Sequence, residues 1–474
     1  MSDLRQIDEV LWEIPADARP DMRVPARVFA DAELLDAISG DGSLDQLRNV
    51  ATLPGIVEAA LAMPDIHQGY GFPVGGIAAT ATPDGVVSPG GVGYDINCGV
   101  RLLAASFSGE ELGERREALV HELSRGVPAG AGGGSQAALS DMRVDDVLAN
   151  GPSALVECVG GADDLELTES GGRLDGADPA AVSQRARQRG ADQLGTLGSG
   201  NHFVEVQRVD EIHDRAAARA YGLEAGQVTI LIHSGSRGLG HQVCTDFVKR
   251  MDAALDRHRI RLPDRQLSCA PLSSPEGREY LAAMAAAANF AWANRQAIAH
   301  RVRRAIARVL GEAAAGGTRQ VYDVAHNVAK LEPHGGRELC VHRKGATRAF
   351  PPGSRDVPER YQAVGQPVFI PGSMGTASYV LAGRAGAMEL SFGTVCHGGG
   401  RRLSRTGARR QVQGAELRRA LEEQGITVRC PSNRGLAEEA PMAYKDVEKV
   451  VAIVERAGLA GRVARLRPVG VVKG

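Results

Sequence analysis

A long Ala-rich segment constrains the fold of this chain more than any other feature. No Gly or Pro interrupts the sequence from Arg278 to Leu310, and apolar residues recur there at helical spacing. This pattern predicts one long helix, or two abutting helices, over 278–315, within a helix-rich region of about 240–316. Apolar periodicity predicts further helices at 113–124, 184–194, 240–257 and 415–423.

Short apolar and β-branched runs bounded by Gly or Pro predict the strands. They occur at 75–82, 100–106, 228–233, 366–371 and 469–472. Strands and helices do not alternate strictly, which favours an α+β fold, with mixed or antiparallel sheets surrounded by helices, over a doubly wound sheet. We find no low-complexity linker and expect a single domain over 1–474, in which 129–135 is the only stretch with a flexible composition.

Composition narrows the class of protein. The 474 residues are 43% hydrophobic and 24% charged, as in ordinary globular proteins. Neither a membrane-spanning apolar run nor a signal peptide is recognisable, and the seven Cys residues are scattered, so we expect a cytoplasmic protein in a reducing compartment. Because the formal net charge is only -2, nucleic-acid binding would need a local basic patch.

A possible metal site begins with a carboxylate and a thiol in one Gly-rich turn. Asp95 and Cys98 are three residues apart in this turn, although such a pair is more often a turn cap and a buried small residue. Four histidines occur at strand ends or beside glycines: His202, His233, His326 and His397. Each alone is more often structural, but together with Asp95 and Cys98 they suit Mn, Zn, Co or Fe(II) better than Mg or Ca.

Nucleotide chemistry would require an unusual nucleophile in this chain. The sequence has no P-loop, no recognisable Rossmann unit and no Lys-x-Asp-Gly segment, so a covalent nucleotide step would use another residue, for which His is suitable. Arg401 follows three glycines and is a candidate phosphate contact. For Arg409 and Arg410 a solvated basic helix face is an equally good interpretation.

Taken in order, the motifs resemble those of the RtcB family of RNA ligases over most of the chain. The motifs include Met-Pro-Asp-Ile-His-Gln-Gly from Met63, Asp-Ile-Asn-Cys-Gly-Val-Arg from Asp95, Gly-Ser-Gly-Asn-His-Phe from Gly198, His-Ser-Gly-Ser-Arg-Gly from His233, Ala-His-Asn from Ala325 and the final Lys473-Gly474. The resemblance implies an RtcB-like fold and an enzyme of tRNA splicing and RNA repair. Such an enzyme uses GTP and Mn(II) to join 2′,3′-cyclic phosphate or 3′-phosphate ends of RNA to 5′-hydroxyl ends, through a His-GMP intermediate and an RNA(3′)pp(5′)G end.

The same resemblance implies two Mn(II) ions per chain. Asp95, Cys98 and His202 would hold one ion. Cys98, His233 and His326 would hold the other, and the Cys98 thiolate would bridge the pair.

The resemblance also assigns the nucleotide chemistry. His397 would attack GTP, and Asp65 is our candidate for orienting its imidazole. The residues implied around GTP are Asn201, Glu205, Ser373, Ser378, Gly399, Tyr444 and Lys473. Glu205 would accept hydrogen bonds from N1 and N2 of guanine, which adenine cannot supply. Those expected to contact RNA phosphate are Arg237, Arg401 and Arg405.

The chain departs from the family pattern at one position, and two alternative functions are also compatible with its residues. The family pattern after His397 is Gly-Ala-Gly-Arg, whereas this chain has Gly399 in place of Ala, which loosens the loop by up to about 1 kcal/mol. One alternative is a binuclear metal phosphodiesterase or phosphatase that acts on RNA ends without GTP. The other is a non-catalytic protein that binds RNA ends. An archease-type activator is a candidate partner, and we expect a monomer.

Overall fold

The strands belong mainly to two large sheets. The computed structural model describes residues 3–130 and 144–474, so most of the Gly-rich stretch at 129–135 lies outside the described residues. The strands are β1 (Arg5–Asp8), β2 (Leu11–Ile14), β3 (Ala26–Phe29), β4 (Ala60–His67), β5 (Val74–Ala81), β6 (Val86–Val87), β7 (Gly99–Ser108), β8 (Phe203–Ile212), β9 (Gln227–Ser234), β10 (Ala270–Pro271), β11 (Arg319–Ala325), β12 (Asn327–His334), β13 (Arg337–Lys344), β14 (Ala346–Arg348), β15 (Pro367–Ile370), β16 (Ser378–Gly383), β17 (Thr394–Cys396), β18 (Thr427–Arg429) and β19 (Ala460–Lys473).

The α-helices pack around these sheets. They are α1 (Ala32–Ile38), α2 (Ser43–Val50), α3 (Gly109–Leu112), α4 (Arg116–Gly126), α5 (Val144–Asn150), α6 (Val156–Val159), α7 (Ala162–Glu166), α8 (Gln184–Gly190), α9 (Arg215–Tyr221), α10 (Arg237–Ala254), α11 (Pro275–Leu310), α12 (Glu312–Gly317), α13 (Ala385–Ser391), α14 (Arg405–Gln411), α15 (Gly414–Glu423), α16 (Asn433–Glu438) and α17 (Val447–Arg456). Among the described residues, no helix has the length and apolar character needed to cross a membrane.

Both large sheets are mixed but mainly antiparallel. The first has the order β1-β2-β3-β4-β5-β13-β12, in which only β3 and β4 are parallel. The second has the order β11-β7-β9-β8-β19-β16-β15, and β18 pairs with β19 in parallel. The predicted α+β class is therefore confirmed, as are the predicted strands, each of which falls on an observed one.

The Ala-rich segment forms one long helix followed by a short one. Helix α11 has 36 residues, which at about 1.5 Å per residue spans about 54 Å. Ser274 caps its N-terminus by accepting a hydrogen bond from the Gly277 amide, and Pro275 occupies the first turn. The helix ends at Gly311, whose φ of 94° breaks the helical conformation. Helix α11 thus begins slightly before the predicted segment because a proline fits the first turn.

The buried middle of α11 contacts β11, the turn before β7 and the end of β9. Arg295 is fully buried and pairs with Asp323 of β11 at 2.8 Å. Its guanidinium also donates to the backbone oxygens of Asn97, at 2.8 Å, and Ser234, at 2.9 Å. Because a buried guanidinium needs such partners, Arg295 fixes the turn before β7 against the end of β9.

Candidate metal and nucleotide site

A cavity of about 280 Å³ lies where strand ends of the two large sheets meet. His67 and Lys344, from the ends of β4 and β13, reach it from the first sheet, and Phe203 and His233, from β8 and β9, reach it from the second. The site is therefore assembled by the whole fold.

Asp95 and Cys98 lie in a tight turn that leads into β7. The Cys98 amide donates to the Asp95 carbonyl at 2.9 Å, and Asn97 between them has a φ of 51°. The Asn97 side chain donates to Ala288 of α11 at 2.7 Å. A Cβ atom on Gly235 would lie 2.3 Å from the Asp95 carboxylate, so only glycine fits opposite this group.

His202 completes a compact group of donor atoms. Its Nε2 lies 2.9 Å from Oδ2 of Asp95 and 3.6 Å from Sγ of Cys98. Its Nδ1–H donates to the Leu197 carbonyl at 2.9 Å, which leaves Nε2 directed at the other two. The ligand atoms of Asp95, Cys98 and His202 all lie within 4.8 Å of one another. A carboxylate, a thiol and an imidazole at this spacing fit a metal ion.

His233 and His326 line the cavity next to this group. Nε2 of His233 lies 3.2 Å from Sγ of Cys98, and its Nδ1–H donates to the Asn201 carbonyl at 3.2 Å. Nδ1 of His326 lies 3.0 Å from the Thr347 hydroxyl, while its buried Nε2 has no hydrogen-bond partner within the described structure. An orphaned imidazole nitrogen in the lining of this cavity also fits a metal ligand.

Without a cation, burial favours the neutral forms of Cys98, His233 and His326, whereas Asp95 stays ionised. Burial, reinforced by Asp95, raises the pKa of the Cys98 thiol well above its usual value. Burial, together with neighbouring histidines, lowers the pKa values of His233 and His326 well below theirs. Burial also acts to raise the pKa of Asp95, but the hydrogen bond and charge of His202 outweigh it and lower the pKa to about 2.

His397 stands at the end of a row of four imidazoles. The centroids of its ring and that of His326 are 5.3 Å apart, those of His326 and His233 are 5.3 Å apart, and those of His233 and His202 are 5.5 Å apart. We call His202, His233, His326 and His397 the histidine row. Their neighbouring rings meet edge to face.

Asp65 of β4 fixes the orientation of His397. Its Oδ2 accepts from the His397 backbone amide at 3.0 Å and from Nδ1–H at 2.5 Å, and Asp65 is fully buried. This arrangement leaves Nε2 of His397 as the nitrogen with a free lone pair. The following loop packs tightly here, because a Cβ on Gly400, whose φ is 73°, would lie 2.3 Å from the Asp65 carbonyl oxygen.

Glu205 is a buried carboxylate on the cavity wall. Gln207 donates to Glu205 at 2.7 Å and to the Ser378 hydroxyl at 3.1 Å. Burial raises the pKa of Glu205 to about 7, against the opposing effects of Gln207 and Lys473. The Lys473 ammonium lies 5.3 Å from the centre of the Phe203 ring, so the end of β19 is docked at the cavity.

Glu439, which the sequence analysis did not identify, is the centre of a charged cluster at the cavity. The Tyr444 hydroxyl donates to it, and Arg401 and Arg405 lie 3.2 and 3.3 Å away. Lys473 is 3.9 Å away. Arg401 also lies over the Tyr444 ring, 5.1 Å from its centre. We call these five residues the Glu439 cluster. Its carboxylate occurs in Ala-Glu-Glu-Ala, which by pattern alone is typical of a solvated helix.

The structure brings most of the predicted nucleotide and RNA residues to the cavity wall. Those lining it are Asn201, Glu205, Ser373, Gly399, Arg401, Arg405, Tyr444 and Lys473. Two others lie outside that lining. Ser378 accepts from Gln207 and from the Gly372 amide behind the wall. Arg237 donates to the Thr196 hydroxyl at 3.1 Å, and its buried Nη2 has no partner in the described structure.

Fold and site together define an α+β protein in which a group of potential metal ligands lies beside a cavity that holds an oriented histidine. The family model described as tRNA-splicing ligase RtcB matches residues 46–474. Proteins named tRNA-splicing ligase RtcB from Thermococcus kodakarensis and Archaeoglobus fulgidus are 54% and 52% identical, over 100% and 99% of this chain and 99% of each protein. The RNA-splicing ligase RtcB of Mycobacterium tuberculosis is 53% identical over 90% of this chain and all of its own length. The chain belongs to the RtcB family.

Proposed function

We propose that this chain is a GTP- and Mn(II)-dependent RNA ligase, acting as the single domain 1–474. It would join 2′,3′-cyclic phosphate or 3′-phosphate ends of RNA to 5′-hydroxyl ends. The observation that carries the proposal is His397, held through Nδ1 by buried Asp65 at one end of the histidine row. Family membership supports the same chemistry.

Two Mn(II) ions would bind beside His397. Asp95, Cys98 and His202 are proposed to hold one, and Cys98, His233 and His326 the other. The mixed carboxylate, thiol and imidazole donors suit a transition metal, and the unpartnered Nε2 of His326 supports the second position. When bound, the ions would polarise phosphate oxygens and offset negative charge at phosphorus.

His397 is proposed to be the nucleophile. Because Nδ1 keeps its proton for Asp65, the Nε2 lone pair is free to attack the α-phosphorus of GTP. A P–N bond forms, the bond from the α-phosphorus to the bridging oxygen breaks, and pyrophosphate leaves. The Asp65 carboxylate stabilises the positive charge that develops on the imidazole.

A 2′,3′-cyclic end must first be opened by water, whose oxygen bonds to phosphorus as the bond to O2′ breaks and O2′ takes up a proton. The RNA ends then react in two displacements. An oxygen of the 3′-phosphate attacks the phosphorus of His-GMP, which breaks the P–N bond and returns neutral His397. The 5′-hydroxyl next attacks the phosphorus of the 3′-phosphate in the RNA(3′)pp(5′)G end. The phosphodiester bond forms as the P–O bond to GMP breaks, and GMP leaves with the hydroxyl proton passing to it or to water. Arg237, Arg401 and Arg405 are proposed to contact RNA phosphates, which bidentate guanidinium groups suit.

The proposed nucleotide pocket would explain a preference for GTP. Ionised Glu205 would accept hydrogen bonds from N1 and N2 of guanine, whereas adenine offers no such pair of donors on that edge. The other residues proposed around the nucleotide are Asn201, Ser373, Ser378, Gly399, Tyr444 and Lys473.

Labelling with radioactive GTP tests the proposal. We expect an acid-labile, alkali-stable adduct in Mn(II), with Mg, Zn and Co compared in parallel. The adduct should be absent from His397→Ala and intact in His121→Ala, a control at an exposed histidine of α4. An absence of label with every metal, or label that survives His397→Ala, would contradict the proposal. Hydrolysis of cyclic phosphate ends without GTP, unaffected by Glu205→Gln, would instead support a phosphodiesterase.

A second arm tests the orientation of the imidazole. Asp65→Asn keeps the shape of the side chain but no longer selects the tautomer with a proton on Nδ1. We expect the rate of adduct formation to fall by roughly 10³-fold or more, with bound metal unchanged. A rate within a factor of three of the parent enzyme would exclude this role for Asp65.

A further inference from the structure

The partly exposed tyrosines of this chain all lie at one place. Phe, Trp and Tyr together make up only 4% of the sequence, and all nine Phe residues are buried. Five of the eight Tyr residues are buried as well, which leaves Tyr70, Tyr94 and Tyr444. Tyr94 and Tyr444 line the cavity, and Tyr70 contacts Tyr94. Tyr444 belongs to the Glu439 cluster, whereas Tyr94 precedes Asp95 on the metal side.

An aromatic stack runs from the metal side of the cavity to the surface. Tyr94 and His241 of α10 are stacked, with ring centroids 4.7 Å apart and planes 29° apart. Tyr70 meets the edge of this stack, 5.2 Å from Tyr94. His241 is exposed and both tyrosines are partly exposed, so these rings remain accessible to a flat ligand.

The loop that carries Tyr70 is held in place from several sides. Gln46 and Gly69 exchange two hydrogen bonds, of 2.7 and 2.9 Å, between the side chain of one and the backbone of the other. The Gly71 amide donates to the Gln266 side chain at 3.0 Å, and a Cβ on Gly71 would lie 2.5 Å from the Gln266 carbonyl oxygen. A ligand that docks here therefore meets rings that are already positioned, which lowers the entropic cost of binding.

Basic side chains lie near the stack. Lys344 lines the cavity, and its ammonium donates to the Tyr70 carbonyl. Partial desolvation by the neighbouring groups lowers the pKa of His241, and the charge of the exposed Arg189 adds to this effect. Arg237 begins the helix that carries His241. Aromatic faces among cations are the combination that binds single-stranded nucleic acid, through base stacking and phosphate contacts.

We propose that the Tyr94–His241 stack, with Tyr70 at its edge, binds the terminal base of a single-stranded RNA end. Stacking there would place the reacting phosphate or hydroxyl of that end beside Asp95 and Cys98. This inference rests on the proposed ligase function. Because every base has a π face, such a platform tolerates any terminal sequence, as an enzyme that joins varied RNA ends requires.

Substitutions at His241 test the platform, since this side chain is exposed and lies outside the metal-ligand group. We expect His241→Ala to raise KM for RNA about tenfold in ligation at saturating GTP, with kcat changed less than twofold. His241→Phe keeps an aromatic face and should restore KM to within about twofold of the parent value. Equal KM values in the parent enzyme and His241→Ala would overturn the proposal, and so would an equal loss in His241→Phe and His241→Ala.

Abasic substrates identify which end stacks. One RNA carries an abasic nucleotide at its 3′-phosphate end, and another carries it at its 5′-hydroxyl end. The KM of only the strand that stacks should rise, and His241→Ala should add nothing further for that substrate. Normal KM values for both abasic strands would overturn the platform. Labelling of His397 by GTP needs no RNA, so its failure would count against the proposed function, whereas intact labelling with unchanged KM values would count against the platform alone.

Discussion

The histidine row and the Glu439 cluster line the same cavity but are built in opposite ways. In the row, His202 and His233 are tied to the main chain through Nδ1, and the buried Nε2 of His326 has no partner in the described structure. In the cluster, Glu439 already contacts two guanidinium groups, an ammonium group and a phenol. A cation from outside would complete the first region, as proposed above, whereas the second already satisfies its own charges and would have to exchange ion pairs to bind a phosphate.

Removal of the shared thiol should have the largest effect and affect the histidine row alone. We expect Cys98→Ala to lose both Mn(II) ions and all detectable GTP labelling, because the thiolate is proposed to bridge them. Asp95→Ala should lose chiefly one ion. Metal content by elemental analysis and adduct formation measure the two effects. Exposed Cys158 provides the matched control, and Cys158→Ala should bind two ions.

Two outcomes would contradict the predictions for Cys98→Ala and Asp95→Ala. If Cys98→Ala retained one ion, the bridging role would be wrong and the two ions would have separate ligand sets. If Asp95→Ala lost both ions, occupancy of the two positions would be interdependent.

Removal of the Glu439 carboxylate tests whether it stabilises the neighbouring cations of its cluster. Glu439→Gln leaves Arg401, Arg405 and Lys473 close together without their anion, so we expect the free energy of unfolding to fall by about 3 kcal/mol. The neighbouring Glu438 is partly exposed and pairs more loosely with Arg409, at 3.5 Å. Glu438→Gln should therefore cost less than about 1 kcal/mol. Denaturant unfolding of both metal-free variants measures the difference, and equal losses would refute the contrast.

The same contrast explains what the sequence could predict. Cys and His are scarce in this chain, at 7 and 12 residues, so a Cys beside Asp in a Gly-rich turn and histidines at strand ends stand out. Glu439 is one of 57 acidic residues, and no local pattern separates it from the solvated ones. Its role arises only when β19 and the loop after α16 bring Lys473 and Tyr444 to it.

Local and long-range features of the fold differ in the same way. Helix α11 was predictable because an Ala-rich periodic run carries its own signal. The order of strands was not, because β5 pairs with β13, more than 250 residues later in the chain. The Tyr94–His241 stack was missed for the same reason, since it joins a turn and a helix that no sequence pattern connects.

The pH dependence of guanosine binding tests Glu205 separately from the histidine row and the Glu439 cluster. The pKa of Glu205 is raised to about 7, so the carboxylate that would accept from guanine is progressively protonated below that pH. Guanosine affinity should be highest above pH 8 and about tenfold weaker at pH 6, because one pH unit below the pKa leaves about a tenth of the carboxylate ionised.

Calorimetry measures the affinity at each pH. Guanosine is used because it has no phosphate groups whose own ionisation would add to the pH dependence. Glu205→Gln should bind weakly with no such pH dependence, and adenosine should bind weakly at every pH. A guanosine affinity that rises on acidification would mean that the protonated form of Glu205 is the binding form.

The smallest effect is expected in the loop that joins the two regions, after His397. Gly399 has no positive φ, and an added Cβ would lie 3.3 Å from the Lys445 carbonyl oxygen and 3.9 Å from Val447, so a methyl group fits if that oxygen shifts slightly. Gly399→Ala should therefore raise the free energy of unfolding by roughly 0.5 kcal/mol, by restricting the unfolded chain, with GTP labelling within about twofold of the parent.

Gly400 is the matched contrast, because its φ is 73° and a Cβ would lie 2.3 Å from the Asp65 carbonyl oxygen. Gly400→Ala should destabilise the protein and displace Asp65 from His397, so thermal unfolding and labelling should fall together. If Gly399→Ala were as damaging as Gly400→Ala, the loop would be closed to any side chain, and the glycine in this chain would be a requirement.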